Sequence, residues 1–301
     1  MIDNKDFLVR GVIKNLNIRF SLIDTTTAVN NGIILHSCSP VSAALFGKAL
    51  TIAGLISPLL DKGEKYSIKW EYSGPASTIL IDVDDKCKLR GIPGNPLLDN
   101  EATTENTLYG DTGRITVMKF KESKILNSGI AETAMMEIAD DISYYMSTSD
   151  QIETDFYAAF KFNATPAEPV KSFNGFMIQE MPDCNLLEFD KFRQKLRTSQ
   201  TIDILTDTSL SYRDKTEKIF EYLIDSSTSL NENFNLAFEK SAIPVYSCGC
   251  SFEKMKNAVL TLKKGEIMNI IQKEGAVKTS CKFCKKTYPF KEHDFDFLKQ
   301  N

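Results

Sequence analysis

Four cysteines near the C-terminus stand in two pairs whose spacing is typical of a metal site. One residue separates Cys248 from Cys250, two residues separate Cys281 from Cys284, and thirty residues lie between the pairs. Four thiolates around one divalent ion form the tetrahedral all-cysteine site of structural zinc. Gly249 suits the tight turn that the one-residue gap requires, because glycine has wide freedom in φ and ψ. The pattern therefore predicts one Zn2+ per chain, bound by the four cysteines.

The same four thiols could also carry redox chemistry. Neighbouring cations and a bound metal keep cysteine in the thiolate form, which is the form that oxidants attack. Each pair is close enough to form a disulfide with its own partner, although a ring closed by Cys248 and Cys250 would be strained. Six lysines lie close to the thiols in the sequence: Lys254, Lys256, Lys278, Lys282, Lys285 and Lys286.

Loss of the metal would have a large effect on a small domain. Residues 245–301 form a segment of 57 residues, and a domain of that size usually needs a metal or disulfides. Structural zinc contributes roughly 10–16 kcal/mol to small domains, whereas a whole domain is stable by about 5–15 kcal/mol. These residues therefore suggest a switch, in which the reduced form with zinc is compact and the oxidised form without zinc exposes apolar surface.

The elements that must support this site indicate an α+β protein. Residues 1–180 are predicted to form a mixed α and β core domain with β-sheets and packed helices. Ser39 followed by Pro40 is typical of a helix start, and a helix rich in small residues follows. Strands are predicted where apolar residues alternate, as in YSIKWEY. The other predicted strands are STILIDVD, CKLRGI, GRITVMKF, TDFYAAFKFN and FNGFMIQEM.

A helical linker region is predicted for residues 181–244, before a C-terminal zinc and redox-switch domain at 245–301. The chain from Asn185 to Lys240 is polar and predicted to be helical, and short amphipathic helices of this kind depend on neighbours for stability. Their apolar residues could be ordinary core or a client-binding surface exposed by oxidation. Two apolar stripes are Leu186, Phe189, Phe192 and Leu196, and Ile219, Phe220, Leu223 and Ile224. In the core domain, helical spacing also relates Met135, Ile138, Ile142 and Tyr145.

Charge and hydropathy limit the function classes. The net charge is −4, yet residues 245–301 carry eleven lysines and no arginine against six acidic residues. Because these lysines are interleaved with the cysteines, they are interpreted as offsetting thiolate charge, and nucleic acid is not an expected partner. No secretory signal is predicted. The apolar stretch around Lys48 is predicted to be a buried helix and not a membrane span, so a reducing, cytoplasmic location is expected.

The cysteine arrangement resembles the zinc and redox centre of the redox-regulated 33 kDa heat-shock chaperone family, and KTYPF resembles the aromatic end of that centre. Other segments resemble the family in the same order along the chain. These are SPVSAALFGKALTIAGL, YSGPASTILIDVDDKCKLRG, GIAETAMMEIADDISYYMSTSDQI and GFMIQEMP. The resemblance covers nearly the whole chain. Met136 departs from it, because the family pattern would have glycine there.

This resemblance implies an ATP-independent chaperone, a holdase, that is not an enzyme. It implies that the reduced, zinc-bound form is a monomer of low activity. It also implies that oxidation forms disulfides Cys248–Cys250 and Cys281–Cys284, the latter first, with release of zinc and unfolding of the C-terminal domain and linker. The activated form would dimerise and hold unfolding client proteins. The sequence contains no GxxxxGK[ST] phosphate-binding loop, which agrees with ATP-independent activity.

Two other function classes remain open from the residues alone. A thiol-disulfide oxidoreductase could use Cys281 and Cys284, although a CxxC of that kind usually opens a helix after a strand in a βαβ unit. A structural zinc ribbon could bind nucleic acid through the basic tail, and its binding would then depend steeply on salt.

The remaining reactive residue types are interpreted as structural. A hydrolase would need His36 or His293, the two histidines of the chain, beside a nucleophile, and His293 could also replace a thiolate ligand. The acidic cluster of Glu137, Asp140 and Asp141 could be a paired-carboxylate site, but we interpret it as a solvated helix face. Three further cysteines are expected to be inert and buried: Cys38, Cys87 and Cys184.

Overall fold

The chain forms two compact units, Met1–Tyr246 and Ser247–Asn301. The computed structural model describes residues 6–98, 105–224 and 235–295. The boundary between the units follows Tyr246, whereas the C-terminal domain was expected to start at residue 245. Val245 and Tyr246 belong to the first unit because they pair in parallel with Lys88 and Leu89. The further division of the first unit at residue 180 stays a prediction.

The first unit contains eleven strands and seven helices within the described residues. The strands are β1 (Phe7–Ile13), β2 (Ile18–Asp24), β3 (Glu64–Tyr72), β4 (Thr78–Asp84), β5 (Lys88–Ile92), β6 (Gly113–Lys121), β7 (Lys124–Glu132), β8 (Thr154–Phe162), β9 (Val170–Glu180), β10 (Leu236–Ala242) and β11 (Val245–Tyr246). The helices are α1 (Thr26–His36), α2 (Pro40–Ile56), α3 (Glu105–Leu108), α4 (Ile138–Thr148), α5 (Leu186–Leu196), α6 (Ser199–Thr206) and α7 (Tyr212–Leu223).

The strands form two sheets, which confirms the α+β class. The first sheet has the order β10-β1-β2-β9-β8 and the second has the order β11-β5-β4-β3-β6-β7. The six strands predicted from alternation are present as β3, β4, β5, β6, β8 and β9. Strands β1, β2 and β7 and helix α1 were not predicted. Residues 236–240, predicted to be helical, instead form most of β10, which pairs with β1.

Helix α2 is the centre of the larger core, where it contacts strands of both sheets. Its small residues permit this close packing: a Cβ on Gly47 would lie 2.4 Å from the Phe173 ring, and one on Gly54 would lie 2.5 Å from Ile23 Cδ1. The stretch Pro40–Leu59 is the one described helix long and apolar enough to cross a membrane, and 78% of its apolar window is buried inside the protein.

A second core lies on the opposite face of the first sheet, where α5, α6 and α7 pack. Phe220 of α7 lies edge-on to Phe20 of β2, with ring centroids 4.5 Å apart, and Phe20 stacks on Phe176 of β9 at 5.8 Å. Most of the two predicted apolar stripes is buried in this core. Leu186 is exposed, at 53%, and Ile224 is half-buried. The short helices thus take their stability from the sheet, as expected for helices with little core of their own.

The acidic cluster before and within α4 is not a solvated face, and that interpretation was wrong for Asp141. Asp141 is fully buried and accepts hydrogen bonds from the Tyr72 hydroxyl at 2.7 Å and from the backbone N–H of Met135, Met136 and Glu137 at 3.1 Å. Burial raises the pKa of its carboxyl group. Met136 adopts φ 52° in this turn, a left-handed conformation that glycine adopts most readily.

Glu137 and Asp140 are also structural. Glu137 caps α4 by accepting hydrogen bonds from the backbone N–H of Ala139 and Asp140, and it forms an ion pair with Lys48 of α2. Asp140 forms an ion pair with Arg197, 2.6 Å away. A carboxylate at the first turn of a helix is favoured by the helix dipole. The three acids therefore organise the start of α4 and its contacts.

Tyr246, the last residue of the first unit, is held by hydrogen bonds and close packing. Its hydroxyl donates to the Gly91 carbonyl at 3.1 Å and lies 3.1 Å from His36 Nε2. A Cβ on Gly32 would be 2.9 Å from the Tyr246 ring, so glycine is required for this close approach. His36 is therefore part of the packing around Tyr246, as expected for a structural histidine.

Asp6, directly before β1, contacts the first turn of α1 and allows a pH-dependent prediction. It is fully buried and accepts hydrogen bonds from the backbone N–H of Thr27 and Ala28. Burial raises its pKa to about 7, and the nearby Asp24 carboxylate adds to this. Because the raised pKa favours the protonated carboxyl in the folded state, stability from Asp6 is complete below pH ~4 and is lost as pH rises through 7.

We expect Asp6→Asn to become more stable relative to wild type, by a few kcal/mol in total, as pH rises from 4 to 8. Trp70, the single tryptophan and fully buried in the first unit, reports urea unfolding by fluorescence. The exposed Asp183→Asn variant is the control. A constant difference between Asp6→Asn and wild type across this range would contradict the prediction.

Candidate metal centre

The four cysteines lie at the ends of short elements in the second unit. Its elements are α8 (Phe252–Val259), α9 (Lys264–Glu274), β12 (Val277–Ser280) and β13 (Thr287–Phe290). Cys248 and Cys250 precede α8, which Ser251 caps by accepting a hydrogen bond from the Lys254 N–H. Cys281 and Cys284 occupy the turn between β12 and β13, which pair antiparallel. The first pair thus leads into a helix, and the second sits in a hairpin turn.

The turn that carries the second pair is closed by backbone hydrogen bonds. The Cys281 N–H donates to the Lys286 carbonyl at 3.0 Å, and the Lys285 N–H donates to the Cys281 carbonyl at 2.8 Å. Lys285 has φ 59°, so a lysine occupies the left-handed position of the turn. Gly249 does not have a positive φ, and a Cβ there would meet nothing within 4 Å. The expected need for glycine between the first two cysteines is therefore not observed.

The structure brings all four sulfurs together. Their Sγ atoms all lie within 4.8 Å of one another. Two close approaches each join one cysteine of the first pair to one of the second: Cys248 to Cys281 at 3.7 Å and Cys250 to Cys284 at 3.3 Å. A tetrahedron with metal–sulfur bonds of ~2.3 Å has edges of ~3.8 Å. The four cysteines are therefore positioned to bind one metal ion.

Tyr288 is part of this centre, although the sequence analysis did not identify it as such. Its hydroxyl lies 3.2 Å from Cys250 Sγ, and this contact is the main cause that lowers the pKa of the Cys250 thiol to about 7. The same contact raises the pKa of Tyr288 to about 12. Burial raises the pKa of Cys248 and, to about 12, that of Cys284. The tyrosine in KTYPF was the available sequence signal.

Two of the lysines near the thiols contact the surroundings of the centre. Lys254 Nζ donates to the Gly249 carbonyl at 2.9 Å, and Lys286 Nζ lies 5.2 Å from the centroid of the Tyr288 ring. Both place positive charge next to groups that contact thiols. A positive charge in such a position favours the thiolate form.

The apolar core of the second unit is small. Its buried hydrophobic side chains in the described residues are Val259, Ile267, Val277, Tyr288, Phe290 and Phe295. A core of this size supplies little stability, and small domains usually add a metal or disulfides. A metal ion bound by the four cysteines would therefore add substantially to the stability of this unit.

The other candidate residues lie elsewhere. Cys87 is buried in the first unit, and burial raises the pKa of its thiol, which makes it unreactive. Cys38 and Cys184 are half-buried, so they are less enclosed than expected. His293 is exposed and lies 3.6 Å from Asp294, and the group of potential ligands is made up of the four cysteines alone.

Loss of one ligand is expected to abolish metal binding. We expect full-length reduced Cys281→Ser to retain little or none of the one zinc per chain predicted for wild type, because three thiolates and a neutral hydroxyl hold zinc far less tightly. Atomic emission analysis after gel filtration measures the content. Cys184→Ser, in the first unit, should bind zinc as wild type does. Undiminished zinc in Cys281→Ser would contradict the assignment.

Tyr288→Phe keeps the ring but removes the hydroxyl that contacts Cys250. Since groups that hydrogen-bond to metal ligands typically contribute 10–100-fold in metal affinity, we expect zinc affinity to fall by about tenfold. Competition with a chromogenic chelator measures this. Thr287→Val is the matched control, because the Thr287 hydroxyl bonds Ser280 at 2.7 Å and no thiol. Equal losses in both variants would show that Tyr288 has no specific effect on the thiols.

Comparison with known proteins agrees with this arrangement. A family model described as Hsp33 protein matches residues 6–291. The 33 kDa chaperonin of Clostridium botulinum (strain Eklund 17B / Type B) is 29% identical over 304 residues, which cover 99% of this chain and 98% of the relative. That of Geobacillus sp. (strain WCH70) is 27% identical over 300 residues, with coverage of 98% and 97%.

A solved structure shows the same fold. The crystal structure of the 33 kDa chaperonin (heat shock protein 33 homolog) from Thermotoga maritima matches with a TM-score of 0.79 and 23% sequence identity, covering 98% of this chain and 97% of that chain. The family model spans both the first unit and the four cysteines of the second. The chain therefore belongs to the Hsp33 protein family.

Proposed function

We propose that this protein is a redox-regulated, ATP-independent holdase, inactive when reduced and zinc-bound. Membership of a family whose relatives are named chaperonins supports the general activity. The observation that carries the regulation is the convergence of four thiols in a unit with a small apolar core. In this proposal, the protein binds unfolding client proteins and prevents their aggregation, and it has no catalytic activity.

The metal in this proposal is Zn2+. Thiolate ligands alone select soft or borderline ions, and a closed four-sulfur site without an open position suits structural zinc. The ion would supply cross-linking energy of roughly 10–16 kcal/mol, which exceeds what the small core can provide. The four cysteines would hold it, with the Tyr288 hydroxyl on Cys250.

Oxidation of the thiolates is the proposed trigger. Two thiolates and two protons react with one peroxide to give a disulfide and two waters, so two peroxides convert all four cysteines. The proposed disulfides are Cys248–Cys250 and Cys281–Cys284, with the latter formed first. The close approaches observed here join Cys248 to Cys281 and Cys250 to Cys284. The proposed disulfides therefore require each sulfur to move from this neighbour toward the other cysteine of its own pair. Disulfide sulfurs no longer bind zinc, and the second unit then unfolds.

The proposed client surface is the sheet face beneath α5, α6 and α7. That core holds aromatic and aliphatic side chains from both the sheet and the helices. Unfolding of residues 181–244 together with the second unit would expose it. An exposed apolar area of this kind favours association, and we propose that the oxidised form is a dimer, the reduced form a monomer, and the location cytoplasmic.

The two alternative functions, a thiol-disulfide oxidoreductase and a zinc ribbon that binds nucleic acid, receive less support. Cys281 and Cys284 lie in a hairpin turn between β12 and β13, whereas the CxxC of a thioredoxin-like oxidoreductase opens a helix. Lysines of the tail contact the surroundings of the thiols, as Lys254 and Lys286 do. These two lysines therefore do not belong to a separate basic arm that could bind nucleic acid.

Light scattering of a chemically unfolded client diluted into buffer tests the function. We expect the protein treated with peroxide at elevated temperature to suppress aggregation nearly completely at a small molar excess, and the reduced zinc-loaded protein to suppress little. The variant with all four cysteines changed to serine should not respond to peroxide. Cys184→Ser should respond as wild type does.

The same samples report on the proposed mechanism. Amide hydrogen exchange should become fast in 181–301 after oxidation and stay slow in 1–180, and sedimentation should show a dimer. Equal suppression by reduced and oxidised protein would contradict redox control, and absence of suppression in both would contradict the holdase activity. Persistent protection of 181–301 after zinc release would contradict the proposed unfolding.

A further inference from the structure

The face of the first sheet beneath α5, α6 and α7 is apolar at its centre, and we call it the covered face. Side chains alternate between the two faces of a strand, and every second residue of β1, β2 and β9 belongs to this one. Its buried apolar residues in these three strands are Phe7, Val9, Ile13, Ile18, Phe20, Leu22, Phe176 and Ile178. Such a surface alone would accept any apolar segment.

One edge of the covered face is strongly acidic. Asp155 of β8 lies on this face, opposite Ile178 in the ladder, and is only 3% exposed. Asp140 of α4 shares the partner Arg197 with Asp155, and Glu153, just before β8, pairs with Arg193 of α5. We call Asp140, Glu153 and Asp155 the acidic edge. Three carboxylates so close together require positive charge nearby to offset their repulsion.

Helix α5 supplies that charge. Arg197, directly after α5, lies 2.6 Å from Asp140 and 2.9 Å from Asp155, and Arg193 lies 2.7 Å from Glu153. Arginine binds carboxylates with geometric specificity because its guanidinium group is planar. The residues of α5 that enter the core between these contacts are Phe189, Phe192 and Leu196. The segment on the covered face thus combines apolar side chains with flanking arginines.

At the other end of the covered face, a buried lysine of the helices likewise contacts polar and acidic side chains of the sheet. Lys215 of α7 is 1% exposed and donates to Asn174 Oδ1 at 2.9 Å, with Asp24 Oδ2 3.9 Å away. Lys161 of β8 and Lys240 of β10 also lie on this face, near that end, by their positions in the strand ladders. They make the Asp24 end less acidic, so the acidic edge carries the selectivity.

We propose that the acidic edge selects, among unfolding clients, segments in which arginine or lysine flanks apolar residues. This inference rests on the proposed function, because α5 must leave before a client can occupy its place. The client would then replace both the apolar contacts of Phe189 and Phe192 and the ion pairs of Arg193 and Arg197. Charge complementarity of this kind governs specificity and the association rate more than total affinity.

Two peptides test the inference by fluorescence anisotropy. They have the same length and the same phenylalanine and leucine residues, and they differ only in flanking arginines or glutamates. We expect full-length oxidised protein to bind the arginine peptide about tenfold more tightly, since a few partly exposed ion pairs differ from like-charge contacts by that order. The difference should shrink at 1 M salt. Reduced, zinc-loaded protein should bind neither peptide tightly.

Substitutions in the acidic edge test whether its carboxylates cause the preference for the arginine peptide. Glu153→Gln, a half-exposed position, and Asp155→Asn should each reduce the preference for the arginine peptide several-fold. Glu132→Gln is the matched control, because Glu132 is an exposed carboxylate on β7 of the second sheet, outside the residues proposed to unfold. Folding of each variant is checked by its thermal transition. If Asp155→Asn is unstable, Glu153→Gln still decides the outcome.

The outcomes separate this inference from the function on which it rests. Oxidised protein that suppresses aggregation but binds both peptides equally would overturn the inference and leave the holdase function in place. The same holds if the preference persists in both Glu153→Gln and Asp155→Asn. Oxidised protein that suppresses no aggregation would instead overturn the proposed function, and with it the premise that α5 leaves the covered face.

Discussion

The organisation of the second unit depends on the convergence of four sulfur atoms from two distant pairs. The cysteines are separated by thirty residues and two helices, yet their sulfurs lie within 4.8 Å of one another. Thiolates so close repel one another unless a cation neutralises them, and the six buried side chains around them give little compensation. In the proposed function, the second unit would therefore be stable only while the four cysteines are reduced and bind a cation.

The first unit has the opposite character. Helix α2 lies in a large continuous core against strands of both sheets, and this core is made of hydrophobic side chains. Within this unit, α5, α6 and α7 form a separate core with one face of the sheet. Their contacts include ion pairs such as Arg197 with Asp155 and a buried lysine, Lys215. Their attachment therefore has an electrostatic part that an apolar helix layer would lack.

Local patterns predicted local features well. Alternation identified β3 with Ile68, Trp70 and Tyr72 buried, and cysteine spacing identified the group of sulfurs. The features that were predicted wrongly depend on contacts between residues that are far apart in the sequence. Strand β10 was taken as helix because its pairing with β1 joins residues about 230 positions apart, and Asp141 seemed solvated because its partner Tyr72 lies on β3. The contact between Tyr288 and Cys250 likewise joins the hairpin strand β13 to the segment before α8, 38 residues earlier in the chain.

The segment of α5, α6 and α7 follows β9, a strand of the first sheet that lies outside the residues proposed to unfold. A segment tethered in this way cannot diffuse away from its binding face. Its effective concentration there is on the order of millimolar even when it is unfolded. In the proposed function, a client on that face would therefore compete with an intramolecular ligand. The tether would set a minimum client affinity and would favour release once the helices can fold again.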